Sequence, residues 1–290
     1  MSPAPRRALS PWWPASTVTL FLRACRWRIL LNAEANVSIP TTFWATAAGY
    51  FGNNFLPARA GEIVRSYMIS ARSGLDGAYV LATALSERAA DAVALVVICD
   101  VVLLTLPHPP TWLSGAARPF ALVALAGALG IAVLPFLGPL LRAVLERAPL
   151  SDGWRAKLIL MMEHGLRGMR AFHDARRLSG FLGLTVIIWC LDAFAAVIAA
   201  RALGFSMPLP AAFLLMAGLG LGSALPATPG YVGIYQFIAI TVLGPFGFSR
   251  TNAIAYILVA QALGYVVIGV WGSMGILRYR RARSLDNAAP

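Results

Sequence analysis

Two short stretches of this sequence place ionisable residues at helical spacing within apolar surroundings. The first reads Pro57-Ala58-Arg59-Ala60-Gly61-Glu62-Ile63-Val64-Arg65, and the second reads Glu87-Arg88-Ala89-Ala90-Asp91. Proline at a first helical position can start a helix, so Arg59 falls in the first turn, where free N–H groups attract an anion. Glu62 and Arg65 are three residues apart and can pair. This spacing predicts a site for a phosphate group, with the two arginines as its ligands.

Both stretches have a second interpretation. The arginines of the first stretch can instead anchor a helix end by extending to the membrane interface. A charge at the bilayer centre costs at least about 2.5–3.5 kcal/mol, so the charges of the second stretch need partners or water. They either form a polar network that supports the first stretch or lie at the interface because their helix enters the membrane later. The candidate pairs of such a network are Glu62–Arg88 and Arg59–Asp91.

A third stretch interrupts an apolar segment without any charge. It reads Pro226-Ala227-Thr228-Pro229-Gly230-Tyr231-Val232-Gly233-Ile234-Tyr235-Gln236. A new helix can start at Pro229, and its free N–H groups would form an uncharged anion or dipole site. Tyr231, Tyr235 and Gln236 offer hydrogen bonds there. Alternatively, the glycines pack helices together and the tyrosines belong to an interfacial aromatic belt.

The composition identifies the surroundings of these stretches as a membrane. Of the 290 residues, 59% are hydrophobic and 12% are charged, with a mean hydropathy of +0.71. Soluble proteins are about 25% charged, so a water-soluble domain is excluded. The net charge of +12 comes from arginines and Lys157, which lie between apolar segments as positive-inside topology requires, and this argues against nucleic-acid binding. The three cysteines have no metal-ligand spacing, so neither metal nor cofactor is expected.

Five segments are candidates for full membrane spans. They cover residues 12–31, 78–106, 119–137, 178–200 and 252–277. The first is marginal, and a signal peptide is its alternative, although Arg23, Arg26 and Arg28 near its end argue against one. Asp100 and Asp192 lie deep within two other spans, so each is expected to face a cavity or to be neutral and hydrogen-bonded.

Two further apolar stretches, 35–58 and 202–249, contain too many prolines and glycines for simple spans. Irregular backbone at membrane depth occurs only inside protein or along a wet cavity, so re-entrant hairpins over 42–70 and 208–245 are expected. Both expected hairpins contain Leu-Pro-Ala-x-x-Gly and precede a full span, which indicates an internal repeat.

The basic segments set the expected topology of a single membrane domain over 1–290. The amphipathic connector 139–177 and the tail 278–290 are rich in arginine and are expected in the cytoplasm. The first repeat (about 35–106) and the second (about 202–277) then place their hairpins in the membrane from opposite faces, as in the inverted repeats of transporters. The connector is either a platform for lipid headgroups or a solvated link.

Three motifs, taken together, resemble the lysylphosphatidylglycerol synthase transmembrane region, also called the flippase-like domain family. They are Asn54-x-x-Pro57-x-Arg59-x-Gly61-Glu62-x-x-Arg65, Glu87-Arg88-x-x-Asp91 and Pro226-x-x-Pro229-Gly230-x-x-Gly233. The resemblance covers about residues 20–278 and implies an integral membrane protein of bacteria or archaea that acts on lipids or lipid-linked substrates. In the best understood relatives this region moves an aminoacylated phospholipid between leaflets. Two departures are the expected lack of a synthase domain and Gln236, where many relatives have glutamate.

The sequence therefore predicts an all-α polytopic membrane protein with about five transmembrane helices and two opposed re-entrant helical hairpins. The expected function is flippase-like translocation of a phospholipid or lipid-linked substrate, with membrane lipids as partners. The alternative is a non-transporting subunit that anchors or assists a separate glycosyl- or lipid-transferase. The chain is not expected to be an enzyme, and it is expected in a cell membrane of bacterial inner-membrane type with its C-terminus in the cytoplasm.

The candidate residues fall into two groups. The candidates for contact with a lipid headgroup or the cavity are Asn54, Arg59, Glu62, Arg65, Glu87, Arg88, Asp91, Tyr231, Tyr235 and Gln236. The candidates for helix breaks are Pro57, Gly61, Pro226, Pro229, Gly230 and Gly233.

Overall fold

The computed structural model describes residues 12–56, 60–106, 111–149, 151–223 and 229–286, and this part of the chain is helical without strands. Its α-helices are α1 (Trp12–Leu31), α2 (Ile39–Phe55), α3 (Gly61–Ser73), α4 (Gly77–Thr105), α5 (Thr111–Val133), α6 (Gly138–Arg147), α7 (Asp152–Arg170), α8 (Ala175–Ala202), α9 (Leu209–Gly222), α10 (Ile234–Leu243) and α11 (Arg250–Asp286). The predicted all-α class is thus confirmed.

Two described helices are long and apolar enough to cross a membrane. They are Ala175–Ala202 and the Arg250–Ala282 part of α11. A third candidate is bent, because Ala121–Phe136 and Gly138–Arg147 meet at 79°. The expected span 119–137 therefore ends in a sharp turn, while the expected tail from 278 is helical and continues α11 to Asp286.

The residues around each irregular stretch form a pair of helices, α2 with α3 and α9 with α10, and the two helices of a pair pack against each other across a break. In the first pair, Gly49 of α2 lies beside Arg65 of α3, and Gly52 lies beside Gly61, so the two helices run antiparallel. A Cβ atom on Gly61 would lie 1.9 Å from the carbonyl oxygen of Gly49, which explains why glycine is required at this crossing. Helix α2 ends at Phe55 and α3 begins at Gly61, while Pro57, the other residue predicted for this break, lies outside the described residues.

In the second pair, too, glycines lie where the two helices cross. Gly218 and Gly222 of α9 face Ile238 of α10, which lets the two helices approach closely. The break between them contains three residues with positive φ: Gly230 (75°), Tyr231 (58°) and Gly233 (90°). Glycine adopts this conformation readily, whereas a tyrosine there must be held by its surroundings.

The packing of the helices is reciprocal between two halves of the chain. We call α1–α4 the first half and α8–α11 the second half. In the first half α1 packs on α2, α2 on α3 and α3 on α4, and α8 to α11 repeat these contacts in the same order. Between the halves, α2 packs on α11, α9 packs on α4, and α1 packs on α8. This exchange supports an internal repeat and adds α1 and α8 to the repeats expected from the sequence.

The connector between the halves consists of α5, α6 and α7. Helix α7 rests on α4, where a Cβ atom on Gly168 would lie 2.9 Å from the backbone of Ala82. Asp76 caps α4 by accepting hydrogen bonds from the backbone N–H groups of Ala78 and Tyr79. These N–H groups, that of Tyr79 above all, lower the pKa of the Asp76 carboxyl below its usual value.

The close crossing of α2 and α3 predicts that adding one methyl group at Gly61 lowers the stability of the protein. Gly61→Ala is expected to destabilise the protein by about 1–3 kcal/mol, because the new Cβ atom overlaps backbone rather than a movable side chain. Gly183→Ala is the matched control, since its Cβ atom in α8 would meet no heavy atom within 4 Å. Thermal unfolding in detergent measures both. Equal midpoints for the two variants would contradict the close crossing.

Candidate functional site

A buried network of ion pairs joins α1, α3 and α4, and its centre is Arg26. The Arg26 side chain is completely buried, and its guanidinium donates hydrogen bonds to both oxygens of Asp91, at 2.6 and 2.8 Å. It also donates to Glu87 Oε1 at 2.9 Å and to the hydroxyl of Thr185 at 3.2 Å. A two-pronged contact of this kind is the geometry that arginine forms best with carboxylates.

Arg65 is the second arginine of the buried network. Its Nε donates to Glu62 at 2.6 Å, its Nη1 donates to Glu87 at 2.8 Å, and its guanidinium lies 4.3 Å from the Trp27 ring centroid. The predicted pairing of Glu62 with Arg65 is confirmed. Arg65 was expected to bind phosphate, but its side chain is only 1% exposed and already contacts two carboxylates.

Arg88 is the third arginine of the buried network and lies at its edge. Its Nε donates to Glu62 Oε1 at 2.9 Å, which confirms the predicted Glu62–Arg88 pair, and its Nη1 lies 3.7 Å from Asp91. Its side chain is 25% exposed, more than any other network member. Three arginines and three carboxylates thus form a neutral group. The other predicted pair, Arg59–Asp91, falls partly outside the described residues, and Asp91 is bound by Arg26.

A second ion pair lies beside this network and crosses between the two halves. Arg23 Nη2 donates to Asp192 Oδ2 at 2.5 Å, and Arg23 Nη1 donates to the Tyr50 hydroxyl at 3.3 Å. In the described part of the chain, this is the only ion pair that joins the first half to the second. Arg23 and Arg88 both approach the ring of Tyr50, at 5.8 and 5.2 Å from its centroid.

These side chains line a cavity between the two halves. Two adjoining pockets of about 370 and 300 Å³ share Tyr50, Arg88 and Asp192, and we call them together the central cavity. The first pocket adds Arg23 and Asp91, while the second adds Asn53, Asn54 and residues of α11. The remaining walls are mostly apolar side chains of α8, α9 and α11. A largely apolar cavity with a few converging polar groups is typical of a ligand site.

The second-half wall of the central cavity is held by neutral hydrogen bonds. The Gly233 N–H donates to Gln236 Oε1 at 2.6 Å, and Gln236 Nε2 donates to Gln261 Oε1 at 2.8 Å. Gln261 Nε2 in turn donates to the Gly230 carbonyl at 3.0 Å, which the Tyr265 hydroxyl also contacts. The rings of Tyr231 and Tyr235 stack with centroids 4.9 Å apart. Gln236 therefore caps the start of α10 and joins the break between α9 and α10 to α11.

The structure brings most of the sequence-predicted residues together around this cavity. Those in the buried network or the cavity walls are Asn54, Glu62, Arg65, Glu87, Arg88, Asp91, Tyr231 and Tyr235, with Gln236 hydrogen-bonded to Gln261. Arg59, Pro57 and Pro226 lie outside the described residues, while Pro229, Gly230 and Gly233 form the second break. Asp192, expected to face a cavity or be neutral, faces the cavity with Arg23 as its partner.

Two arginines that the structure places at this site were not among the residues predicted from the sequence. In the sequence Arg23 and Arg26 served only as charges near the end of a marginal span that argue against a signal peptide, yet both point into the protein. Their spacing of three residues puts them on one face of α1. That shared face was the signal that could have identified them as partners for the carboxylates of α4 and α8.

The comparisons with known proteins agree with the membrane architecture. The family model described as the lysylphosphatidylglycerol synthase TM region matches residues 5–272. A protein named glycosyltransferase AglD from Haloferax volcanii is 28% identical over 273 residues, which are 82% of this chain and 43% of that protein. This chain thus spans less than half of that relative. A UPF0104 membrane protein from Methanothermobacter thermautotrophicus is 24% identical over 90% of this chain and 80% of its own length. No solved structure matches.

The buried network predicts a strong dependence of stability on Arg26. Arg26→Met is expected to cost about 3–5 kcal/mol, because it removes the two-pronged partner of buried Asp91 and one of the two cations at buried Glu87. Adding Asp91→Asn removes one of these charges and is expected to recover part of the loss. Arg176→Met removes an exposed arginine from the start of α8 and serves as the control.

Thermal unfolding in detergent and the monodisperse fraction after extraction check this prediction. If Arg26→Met were as stable as Arg176→Met, or if the added Asp91→Asn made it worse, the network would not carry the stability assigned to it.

Proposed function

Because the chain belongs to the lysylphosphatidylglycerol synthase TM-region family and is a multi-pass membrane protein, we propose that it moves a phosphate-bearing lipid between the leaflets of a cell membrane. The headgroup occupies the central cavity, and the acyl chains stay in the bilayer. The observation that carries this proposal is the pair of partly exposed arginines, Arg23 and Arg88, that flank Tyr50 between the two halves.

The phosphate ligands of this proposal are the arginines that retain access to the cavity. Arginine binds phosphate through several N–H donors, and Arg88 is partly exposed, with its Nη1 at the longer distance of 3.7 Å from Asp91. Arg23 has one strong carboxylate partner and a longer contact to Tyr50. Arg65 instead positions Glu62 and Glu87, and through Glu62 it orients Arg88. Arg59, which lies outside the described residues, stays a candidate ligand.

Movement in this proposal uses the repeated architecture. About five helices span the membrane, the two helix pairs enter it from opposite faces as re-entrant hairpins, and the C-terminus lies in the cytoplasm. The repeated Leu-Pro-Ala-x-x-Gly motifs are 169 residues apart, and the same spacing separates Arg23 from Asp192. Equivalent positions of the two halves thus meet at their interface. Binding of a headgroup phosphate to Arg23 competes with Asp192 and loosens this contact, as alternating access between halves requires.

A second candidate function is favoured by the name of one relative. A chain related to a protein named glycosyltransferase can serve as a membrane subunit that anchors a separate glycosyl- or lipid-transferase. That candidate predicts stable co-purification with the transferase and no lipid movement by the chain alone. In both candidates the chain itself is not an enzyme.

The translocation proposal predicts that lipid exchange depends on Arg88. Arg88→Gln is expected to slow leaflet exchange about tenfold or more, because a charge-assisted contact to phosphate contributes about 1.5–3 kcal/mol. The assay follows fluorescent phosphatidylglycerol and a fluorescent polyprenyl phosphate in proteoliposomes, with an impermeant quencher reporting the outer leaflet. Arg176→Gln, which lies outside the cavity, is the control.

The controls of this assay separate the alternatives. Arg59→Ala is measured in parallel, and a wild-type rate would remove Arg59 from the phosphate site. A wild-type rate for folded Arg88→Gln with both lipids would reject the proposed site. No exchange by the wild-type protein, together with capture of a transferase, would favour the anchoring subunit.

The contact between the halves predicts a charge-swap result. Arg23→Asp and Asp192→Arg each place two like charges in the central cavity and are expected to lower the unfolding midpoint. The double variant restores an opposite pair and is expected to recover about 0.5–3 kcal/mol of coupling. Thermal unfolding of the wild type, the two single variants and the double variant completes a double-mutant cycle. Strictly additive effects would show that the pair does not join the halves.

A further inference from the structure

A second basic site lies at the end of the bundle where α11 carries its arginines. A pocket of about 400 Å³, which we call the basic groove, is formed by the start of α2 and the ends of α3 and α11. Its arginines are Arg72 of α3 and Arg278 and Arg281 of α11. Arg72 lies 5.5 Å from the Tyr279 ring centroid, and Arg278 lies 4.7 Å from that of Trp44. The rings hold two guanidinium groups at the groove.

The described lining of the basic groove carries an excess of positive charge. Its described lining contains no carboxylate, and none of its arginines forms an ion pair with a described residue. Two arginines of the connector region offer a contrast, because Arg142 pairs with Glu146 and Glu163, and Arg167 pairs with Glu34. Three arginines without carboxylate partners predict an anionic occupant.

The basic groove is distinct from the central cavity. On α11 the cavity is lined by residues up to Ile268, whereas the groove begins at Gly275 and extends to Ala282. The α-helical rise puts Tyr265 and Tyr279 about 20 Å apart along α11. A ligand in one site is therefore out of reach of the other.

The surface next to the basic groove indicates where the anion comes from. Met274 and Leu277 precede the arginines on α11 and are exposed, and Tyr67 of α3 is half exposed nearby. An apolar surface that leads directly to a basic one matches an acyl chain joined to a phosphate, while a soluble phosphate needs only the basic part.

We propose that the basic groove binds the phosphate of an anionic phospholipid at the membrane surface. Arg72, Arg278 and Arg281 contact the phosphate oxygens, and the acyl chains lie along the exposed apolar face of α11. The site is independent of lipid movement through the central cavity, because it needs neither Arg23 nor Arg88.

Binding of defined lipids to the purified protein tests this proposal. Phosphatidylglycerol, phosphatidylcholine and inorganic phosphate are titrated separately in detergent, with the unfolding midpoint and native mass spectrometry as readouts. Phosphatidylglycerol is expected to raise the midpoint and to remain bound, whereas phosphatidylcholine and inorganic phosphate are not. An equal effect of the two lipids, or an equal effect of inorganic phosphate, would overturn the assignment.

Two triple variants with equal charge separate the basic groove from general surface charge. Arg72→Gln with Arg278→Gln and Arg281→Gln is expected to weaken phosphatidylglycerol binding about fivefold per arginine removed. The control triple changes exposed arginines of the connector region, namely Arg147→Gln, Arg170→Gln and Arg176→Gln. An equal loss in both triples would overturn the proposal.

Discussion

The burial of Arg26 is the constraint on which the rest of the structure depends. A guanidinium completely removed from water is tolerated only when carboxylates and other acceptors surround it. Asp91 and Glu87 fill that role, and Glu87 also binds Arg65, which binds Glu62, which binds Arg88. Because each ion needs the next, α1, α3 and α4 must take one relative arrangement. The partly exposed Arg88 is thereby presented to the central cavity in a defined orientation.

The same constraint decides the status of the first helix. As a sequence, residues 12–31 were compatible with a marginal span or with a signal peptide. In the structure Arg26 pairs with the carboxylates of Glu87 and Asp91 on α4, and Arg23 pairs with Asp192 of α8. The Trp27 ring lies against the guanidinium of Arg65. Removal of α1 would leave carboxylates on two helices without their cation. Helix α1 is therefore an integral part of the bundle, and its arginines belong to the core.

Local sequence patterns predicted that the chain is helical and where its two breaks lie. Proline and glycine change the backbone of their own neighbourhood, and hydropathy is a property of a contiguous segment, so no distant contact has to be known. The Glu62–Arg88 pair could also be predicted, since both residues lie on helices next to the same break. The partners of Arg23 and Arg26 could not be predicted, because Asp192 is 169 residues away and the choice among carboxylates depends on how α1 packs. The same applies to the bend after α5, which hydropathy alone describes as one straight span.

The two halves share their packing but differ in the chemistry of their breaks, and this difference bears on motion. Near the first break, the buried ion pairs Arg65–Glu87 and Arg88–Glu62 hold α3 against α4, and separating such charges costs several kcal/mol per ion. At the second break, neutral hydrogen bonds among Gln236, Gln261 and Gly230 hold α10 against α11, and each contributes about 0.5–1.5 kcal/mol. Glycines with positive φ also lie within that break. Rearrangement is therefore less costly in the second half, while the first half keeps its arginines in place.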